Sequence, residues 1–99
     1  MTSYRIALGV GLLLPGIEPD AVLPAAAGAA RELTTVEAFD VAVVRGEARI
    51  TVRFVADGDR EAWAIARVVR AAVGALAGVT SPELTRRYGP RWHPVYLTR

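Results

Sequence analysis

The 99-residue chain contains no cysteine, no lysine and a single histidine, His93. The absence of cysteine excludes disulfide bonds, thiolate metal ligands and a cysteine nucleophile. His93 has no carboxylate close to it in the sequence, and the acidic residues scatter over predicted turns and helix ends. We therefore expect no catalytic residue, no transition-metal site and no cofactor. No apolar run reaches about 18 residues, so we also expect no membrane-spanning helix and no membrane partner.

Length and composition predict one globular domain over residues 1–99. Hydrophobic residues make up 53% of the chain and charged residues 22%, which excludes an intrinsically disordered segment. A domain of this length buries roughly 65% of the surface that its unfolded chain exposes. That is enough for one modest core, which we expect to fold without disulfide bonds.

Positive charge is concentrated in the second half of the chain. All 12 basic residues are arginine, and the formal net charge is +2. Residues 1–61 hold six arginines and nine acidic residues, whereas residues 62–99 hold six arginines and one acidic residue, Glu83. Such asymmetry is typical of a protein with an anionic partner, and it also fits two oppositely charged parts of one fold. Because the use of arginine without lysine is typical of a GC-rich genome, we expect a bacterial protein.

The first 14 residues predict a strand rather than a signal peptide. Bulky side chains alternate with small ones from Tyr4 onwards, and this period of two is typical of a strand. A secretory signal would need cleavage near the alanines at 25–27, but Glu18 and Asp20 precede that position. We therefore expect a cytoplasmic protein.

Turn residues divide the chain into six predicted elements. They are a strand at 4–14, a helix at 24–32, strands at 35–44 and 48–56, a helix from 59 to about 77, and a strand at 82–88. This order resembles the ferredoxin-like βαββαβ arrangement, in which one four-stranded antiparallel sheet carries two helices on one face. Right-handed crossovers place strands one and three inside that sheet. The sequence thus predicts a single ferredoxin-like α+β domain, followed over about 89–99 by a tail or short extra strand.

The loop between the second and third strands has two possible positions. A loop at Gly46 and Glu47 places glycine first, as a type II′ turn requires, and sets Asp40 opposite Arg53. A loop at Arg45 and Gly46 keeps the same sheet faces but loses this pair of opposite charges. We therefore predict the loop at Gly46 and Glu47.

The first strand has one face of small residues, which we expect to point away from the helices. A glycine within a strand often marks the close approach of another group. Either a second subunit or the chain's own tail packs there, or a ligand lies on the small residues while an arginine binds its anionic group. The candidate oligomer or ligand face comprises Arg5, Ala7, Gly9, Gly11, Arg49 and Arg53.

Two further groups of residues are candidates for binding. The C-terminal segment combines arginines that bind phosphates with aromatic rings that stack on bases, and its candidate nucleic-acid contacts are Arg86, Arg87, Tyr88, Arg91 and Trp92. Alternatively, its aromatic residues fold the tail over an apolar surface. On the second helix, ideal spacing of 100° per residue directs Trp63, Arg67 and Arg70 away from the core, so we expect them to contact the tail or a partner.

The leading functional hypothesis is a small, non-enzymatic binding or assembly module that forms a homo-oligomer through its open sheet face. Burying a face on the order of several hundred Å² contributes several kcal/mol before the costs of association. A further protein partner is compatible with the same surface. The alternatives are an RNA- or DNA-binding protein that uses the C-terminal segment, and a dimeric ferredoxin-like enzyme with a cavity between sheet and helices.

Overall fold

The computed structural model describes residues 1–96 and contains five strands and two helices. The elements are β1 (Thr2–Leu13), a 3₁₀ turn (Pro19–Ala21), α1 (Val22–Arg31), β2 (Val36–Val44), β3 (Glu47–Ala56), α2 (Asp59–Gly74), β4 (Ala77–Tyr88) and β5 (Arg91–Pro94). The strands form one antiparallel sheet of order β2-β3-β1-β4-β5, so the fold is α+β. The inner position of β1 and β3 is the one that right-handed crossovers predict. The end of the predicted tail, residues 97–99, lies outside the described residues.

The predicted number of four strands is wrong, because the chain after Gly89 returns along the sheet. Gly89 has a φ of 56°, a left-handed conformation that glycine adopts without steric cost. β5 then pairs with the edge of β4 and places Trp92 opposite Arg87. Val95 extends this contact, since its N–H donates to the carbonyl oxygen of Leu84 at 2.8 Å. The side chain of Val95 is buried, so this residue, just after β5, belongs to the core.

The hydrophobic core lies between the helices and one face of the sheet. The β1 residues buried in it are Tyr4, Ile6 and Leu8. Val10 continues this face and packs against the core. Beyond Val10 the alternation breaks, because β1 changes its register against β4 between Val10 and Leu13. Leu13 packs against the core, whereas Leu12 is 91% exposed. The period-two pattern therefore predicts the core face only up to this irregularity.

The β2–β3 hairpin has its loop at Arg45 and Gly46, one residue before the predicted position. The two residues have φ values of 54° and 80°, as a type I′ turn requires. Asp40 consequently lies opposite Thr51 rather than Arg53, so the predicted register is wrong. A type I′ turn matches the twist of the flanking strands, and this outweighs one exposed pair of opposite charges.

Several helix and strand boundaries also differ from the predicted ones. α1 begins two residues before Pro24. Pro24 therefore lies in the first helical turn, where backbone N–H groups have no acceptor within the helix, so the missing N–H of proline breaks no hydrogen bond there. α2 ends at Gly74, and β4 begins at Ala77, earlier than predicted. β4 accommodates Pro82 at an irregularity where Ser81 has a φ of 45°. Within residues 1–96, no helix is both long enough and apolar enough to cross a bilayer.

The predicted orientation of Trp63, away from the core, is wrong. Its ring is half-buried and packs against the core, and its Nε1 is buried without a hydrogen-bond partner. Its neighbours Ala62 and Ala66 are buried, and their small side chains leave room for the large ring at the border of the core. A contact between Trp63 and a partner stays a prediction.

Candidate functional site

The sheet face opposite the helices, called here the open face, carries its side chains in rows across the strands. One row runs through Thr85, Arg5, Arg53 and Ala38, and the next through Glu83, Ala7, Thr51 and Asp40. Together with Trp92, these residues line a cavity of about 540 Å³, which we call the open-face groove. Its volume lies within the range of roughly 300–1,000 Å³ typical of small-molecule sites.

Two arginines lie directly opposite each other at one end of the open-face groove. Arg5 of β1 pairs with Arg53 of β3, and like charges in such a position destabilise a sheet. The ring of Trp92 offsets part of this repulsion, because its centroid lies 4.0 Å from the Arg5 guanidinium carbon and 5.3 Å from that of Arg53. Within residues 1–96 Arg5 forms no ion pair, so its charge is available to an anion.

Glu37 holds the second arginine in place. Arg53 Nε donates to Glu37 Oε1 at 3.1 Å, and the hydroxyl of Ser3 donates to the same oxygen at 2.6 Å. The hydrogen bond from Ser3, and then the one from Arg53, lower the pKa of Glu37 below its usual range. Glu37 is therefore ionised at neutral pH, and it orients Arg53 while the remaining guanidinium nitrogens stay available.

The groove has a floor of small residues with a carboxylate on either side. Ala7 and Thr51 form the floor, and Glu83 and Asp40 lie beyond them on β4 and β2. Since neighbouring strands are about 4.8 Å apart, the two carboxylates start from backbone positions roughly 14 Å apart. The groove thus offers positive charge at one end and hydrogen-bond acceptors along its sides.

Gly9 is covered by side chains of its own chain. The Thr80 hydroxyl donates to Glu47 Oε1 at 3.0 Å, and a Cβ on Gly9 would overlap both of these groups. The groups that approach Gly9 closely are therefore Glu47 and Thr80 of the same chain. Oligomerisation through the open face stays a prediction, but Gly9 no longer supports it.

The other predicted residues of the open face divide between the groove and its surroundings. Gly11 lies against the backbone of Gly78, whose oxygen would be 3.6 Å from a Cβ at Gly11. Arg49 donates to the carbonyl oxygen of Ser81 at 3.0 Å. The structure brings Arg5, Ala7 and Arg53 together in the groove and leaves Gly9, Gly11 and Arg49 outside it.

The predicted nucleic-acid contacts lie on both faces of the sheet. Arg87 and Trp92 form a cross-strand pair whose side chains reach the open face, where Arg87 lies 5.9 Å from the Trp92 ring. Arg86 and Tyr88 point to the opposite face, since Arg86 lies 5.0 Å from the Tyr88 ring and lies directly opposite buried Tyr4 on β1. Arg91 lies opposite Tyr88. One extended strand of nucleic acid therefore cannot lie along all five residues.

On the helix side, Arg86 belongs to a hydrogen-bonded cluster that joins the sheet to α2. Its Nη1 donates to Asp59 Oδ1 at 3.0 Å, and the Tyr4 hydroxyl donates to the same oxygen at 2.7 Å. Burial, and then the hydrogen bond to Asp59, raise the pKa of Tyr4 to about 12. The hydrogen bond from Tyr4 lowers the pKa of Asp59, and the hydrogen bond to Asp59 raises the pKa of Arg86. The geometry gives this cluster a structural role.

Arg67 and Arg70 are exposed on α2, as predicted, but they do not meet Trp63. They line a shallow depression together with Gly74, Ala75 and Val79. Trp63 packs against the core instead. The structure therefore separates the predicted partner-binding group into two arginines on the surface and one tryptophan at the core.

Sequence reasoning did not assign Glu83 and Thr85 to the open face. Glu83, Thr85 and Arg87 occupy alternate positions along β4, so the period of two in this strand is the signal that places them on one face. The sequence predicts Trp92 as a nucleic-acid contact rather than as a residue of the groove. Its contact with Arg5, 87 residues earlier in the sequence, depends on the return of β5 along β4, from which the Trp92 ring reaches Arg5 on the open face.

Comparison with protein-family models, with curated protein sequences and with solved structures finds no match to this chain. The open-face groove is therefore interpreted from its own residues. Its chemistry is that of paired guanidinium groups, an aromatic ring, a floor of small side chains and two flanking carboxylates.

Proposed function

We propose that the protein is a binding module whose open-face groove binds a small organic anion. The observation that carries this proposal is the pair of Arg5 and Arg53, held directly opposite each other at the end of the groove. Two adjacent guanidinium groups form charge-assisted hydrogen bonds to the oxygens of a phosphate or carboxylate. A bound anion would also remove the repulsion between the two arginines.

The flanking carboxylates define the rest of the ligand. Asp40 and Glu83 are exposed acceptors beside the floor of the groove, so they favour a ligand that also carries amino or hydroxyl groups. They would repel a polyanion, because its further phosphates would lie against them. The ligand class is therefore a small phosphate or carboxylate with hydrogen-bond donors at a distance from its anionic group. The use of arginine without lysine supports a bacterial source. The acidic residues Glu18 and Asp20, which precede the alanines at 25–27, support a cytoplasmic setting.

The proposal is tested by following backbone amide NMR signals during titration with matched pairs of compounds. O-phosphoserine is compared with serine, and adenosine monophosphate with adenosine. We expect the phosphorylated member of at least one pair to shift the signals of Ala7, Thr51 and Arg53, and the member without phosphate to bind much more weakly. This comparison isolates the contribution of the anionic group.

Matched arginine variants locate the anion. Arg5→Gln and Arg53→Gln should each weaken binding roughly tenfold to a hundredfold, because a hydrogen bond to a charged group contributes about 1.5–3 kcal/mol. Arg67→Gln removes the same charge from an exposed position on α2 and should leave the affinity unchanged. Equal losses in all three variants would show non-specific attraction and would contradict the proposal.

A single-stranded oligonucleotide distinguishes the nucleic-acid alternative. Affinity for nucleic acid falls with the logarithm of salt concentration by a slope of about −0.7 per phosphate contacted on a single strand. If a dT oligonucleotide binds more tightly than every mononucleotide probe and gives a slope of roughly −2 to −3, the function is nucleic-acid binding. Absence of amide shifts with all anionic probes would also overturn the small-anion proposal.

A further inference from the structure

The two edges of the sheet differ in how they are protected. β5 is a four-residue strand that contains Arg91 and Pro94, and short edge strands with charged residues and proline resist pairing with other chains. β2 is nine residues long and contains no proline. Its two acidic residues, Glu37 and Asp40, lie on the open face, where Glu37 binds Arg53 and Asp40 lies opposite Thr51. On its helix side, Phe39, Val41 and Val43 are exposed by 42%, 53% and 76%. Such an edge is a template for another strand.

The backbone groups of β2 that face outward can be identified from the hairpin. In a two-residue hairpin the residues that flank the loop form a hydrogen-bonded pair, and pairs with and without hydrogen bonds then alternate. Val44 and Glu47 flank the loop, so Phe39, Val41 and Val43 direct their N–H and C=O groups away from β3. The same three residues therefore offer apolar side chains and unpaired backbone groups.

We propose that a second copy of this chain pairs with the β2 edge, in antiparallel orientation about a two-fold axis at Val41. Two residues that face each other across the interface exchange hydrogen bonds only if the backbone N–H and C=O groups of both point outward from their own sheets. A pairing centred at Asp40 is disfavoured, because it sets the two Asp40 carboxylates directly opposite each other. With the axis at Val41, residues 38–44 of the two copies pair with each other. This is the longest paired segment that avoids both the contact between the two Asp40 residues and the register irregularity between Val36 and Ala38.

The Val41-centred register is complementary in both chemistry and charge. On the helix side it pairs Val41 with Val41 of the partner subunit and Phe39 with the partner's Val43, and each of these pairs exchanges two backbone hydrogen bonds. On the open face it sets Asp40 opposite the partner's Ala42. Beyond the paired segment it brings Glu37 near the partner's Arg45, so opposite charges meet at both ends of the interface.

The dimer would extend the sheet and the groove in the same step. Ala38 and Asp40 border the open-face groove on its β2 side, and the register places the partner's Val44 opposite Ala38. The groove would thereby gain an apolar wall from the second copy. Because an edge-to-edge contact of this length is at the small end of interfaces, below about 1,200 Å² in total, we expect a dissociation constant in the micromolar range.

The oligomeric state is measured by light scattering at about 100 µM, well above a dissociation constant of about 1 µM. We expect a mass of about twice the 10.6 kDa of one chain. Val41→Arg places two like charges at the axis and should return the mass to that of one chain. Val68→Arg introduces the same residue at an apolar position that is 43% exposed on α2 and should leave the dimer intact.

Cysteine cross-linking tests the register in an otherwise native chain, which contains no cysteine. In the proposed dimer the Cα atoms of the two Val41 residues are about 5.5 Å apart, within the range that a disulfide spans. Val41→Cys should therefore form a covalent dimer on mild oxidation, whereas Val68→Cys should not. This variant also keeps the proposal testable if Val41→Arg fails to fold.

A wild-type mass equal to one chain at about 100 µM would overturn the dimer proposal. A dimer that survives Val41→Arg, or that forms no cross-link through Val41→Cys, would show that another surface is used and would also overturn it. None of these results depends on the ligand of the open-face groove, so the two proposals fail or stand separately.

Discussion

The Tyr4 hydroxyl donates a hydrogen bond to Asp59 Oδ1 at 2.7 Å, which ties the central strand of the sheet to the first residue of α2. The Tyr4 side chain is buried, and its ring stacks on Phe54 at a centroid distance of 6.0 Å. Arg86 donates to the same carboxylate oxygen at 3.0 Å. One carboxylate therefore connects β1, β4 and α2, and it depends on a buried hydroxyl.

Removal of that hydroxyl should destabilise the fold. Tyr4→Phe keeps the ring but deletes the donor, and we expect the free energy of unfolding to fall by about 1 kcal/mol. Tyr96→Phe makes the same change in a side chain that is 79% exposed and should have no effect. Urea denaturation of both variants gives the measurement, and equal stabilities would show that the hydrogen bond contributes nothing.

The same hydroxyl predicts a loss of stability at alkaline pH. The folded state raises the pKa of Tyr4 to about 12, whereas the unfolded chain has an ordinary value of about 10. Between these values the unfolded state loses a proton that the folded state retains, so the free energy of unfolding falls as the pH rises. Urea denaturation from pH 9 to 12 should show a steeper decline for the wild type than for Tyr4→Phe. If the free energy of unfolding falls equally with pH in both proteins, the titration of Tyr4 is not the cause of the decline.

Gly9 should tolerate a larger side chain only when its neighbours are shortened. Gly9→Ala introduces a Cβ that overlaps the hydrogen-bonded pair of Glu47 and Thr80, and we expect a loss of about 1 kcal/mol. In the background of Glu47→Ala and Thr80→Ala, the same substitution should be neutral or stabilising, because glycine weakens a strand by roughly 0.5–1 kcal/mol. Thermal unfolding of the wild type and the three variants measures this coupling. If Gly9→Ala changes the stability equally in the wild-type background and in the shortened background, Gly9 is not coupled to Glu47 and Thr80.

The hairpin loop can be improved at Arg45. This residue has a φ of 54°, and the left-handed conformation costs most residues about 1–2 kcal/mol. Asparagine adopts it more readily and precedes glycine in favoured type I′ turns, so Arg45→Asn should stabilise the protein by roughly 1 kcal/mol. Arg45→Ala removes the same charge without this preference and should give no gain. A denaturation midpoint for Arg45→Asn at or below that of Arg45→Ala would argue against the type I′ loop.

Val95 tests the contribution of the C-terminal end to the core. Its side chain is 8% exposed and its N–H donates to Leu84. Val95→Ala should cost about 1–3 kcal/mol, since removing methyl groups leaves a cavity. Tyr96→Ala, at the exposed position next to it, should cost less than about 0.5 kcal/mol. If the two variants unfold at the same denaturant concentration, Val95 does not belong to the core.

The sequence by itself determines the elements whose patterns are local. Alternation of bulky and small residues predicts β1 and the burial of Tyr4 and Leu8. Helical spacing predicts that Arg67 and Arg70 are exposed on α2. The order of the elements predicts that β1 and β3 lie inside the sheet. The first two predictions are correct because each depends on a periodicity within a short stretch of chain. The third is correct because right-handed crossovers leave few possible strand orders.

Only the tertiary structure decides how distant segments meet. The β2–β3 register depends on the twist preference of a two-residue loop, which a single charge pair does not override. The fifth strand depends on pairing between residues on either side of Gly89, and Trp63 reaches the core because Ala62 and Ala66 beside it are small. The open-face groove combines Arg5, Arg53 and Trp92, which come from three strands. Their meeting requires the completed sheet, because side chains this far apart in sequence acquire a common position only when strand pairing fixes the register of every strand between them.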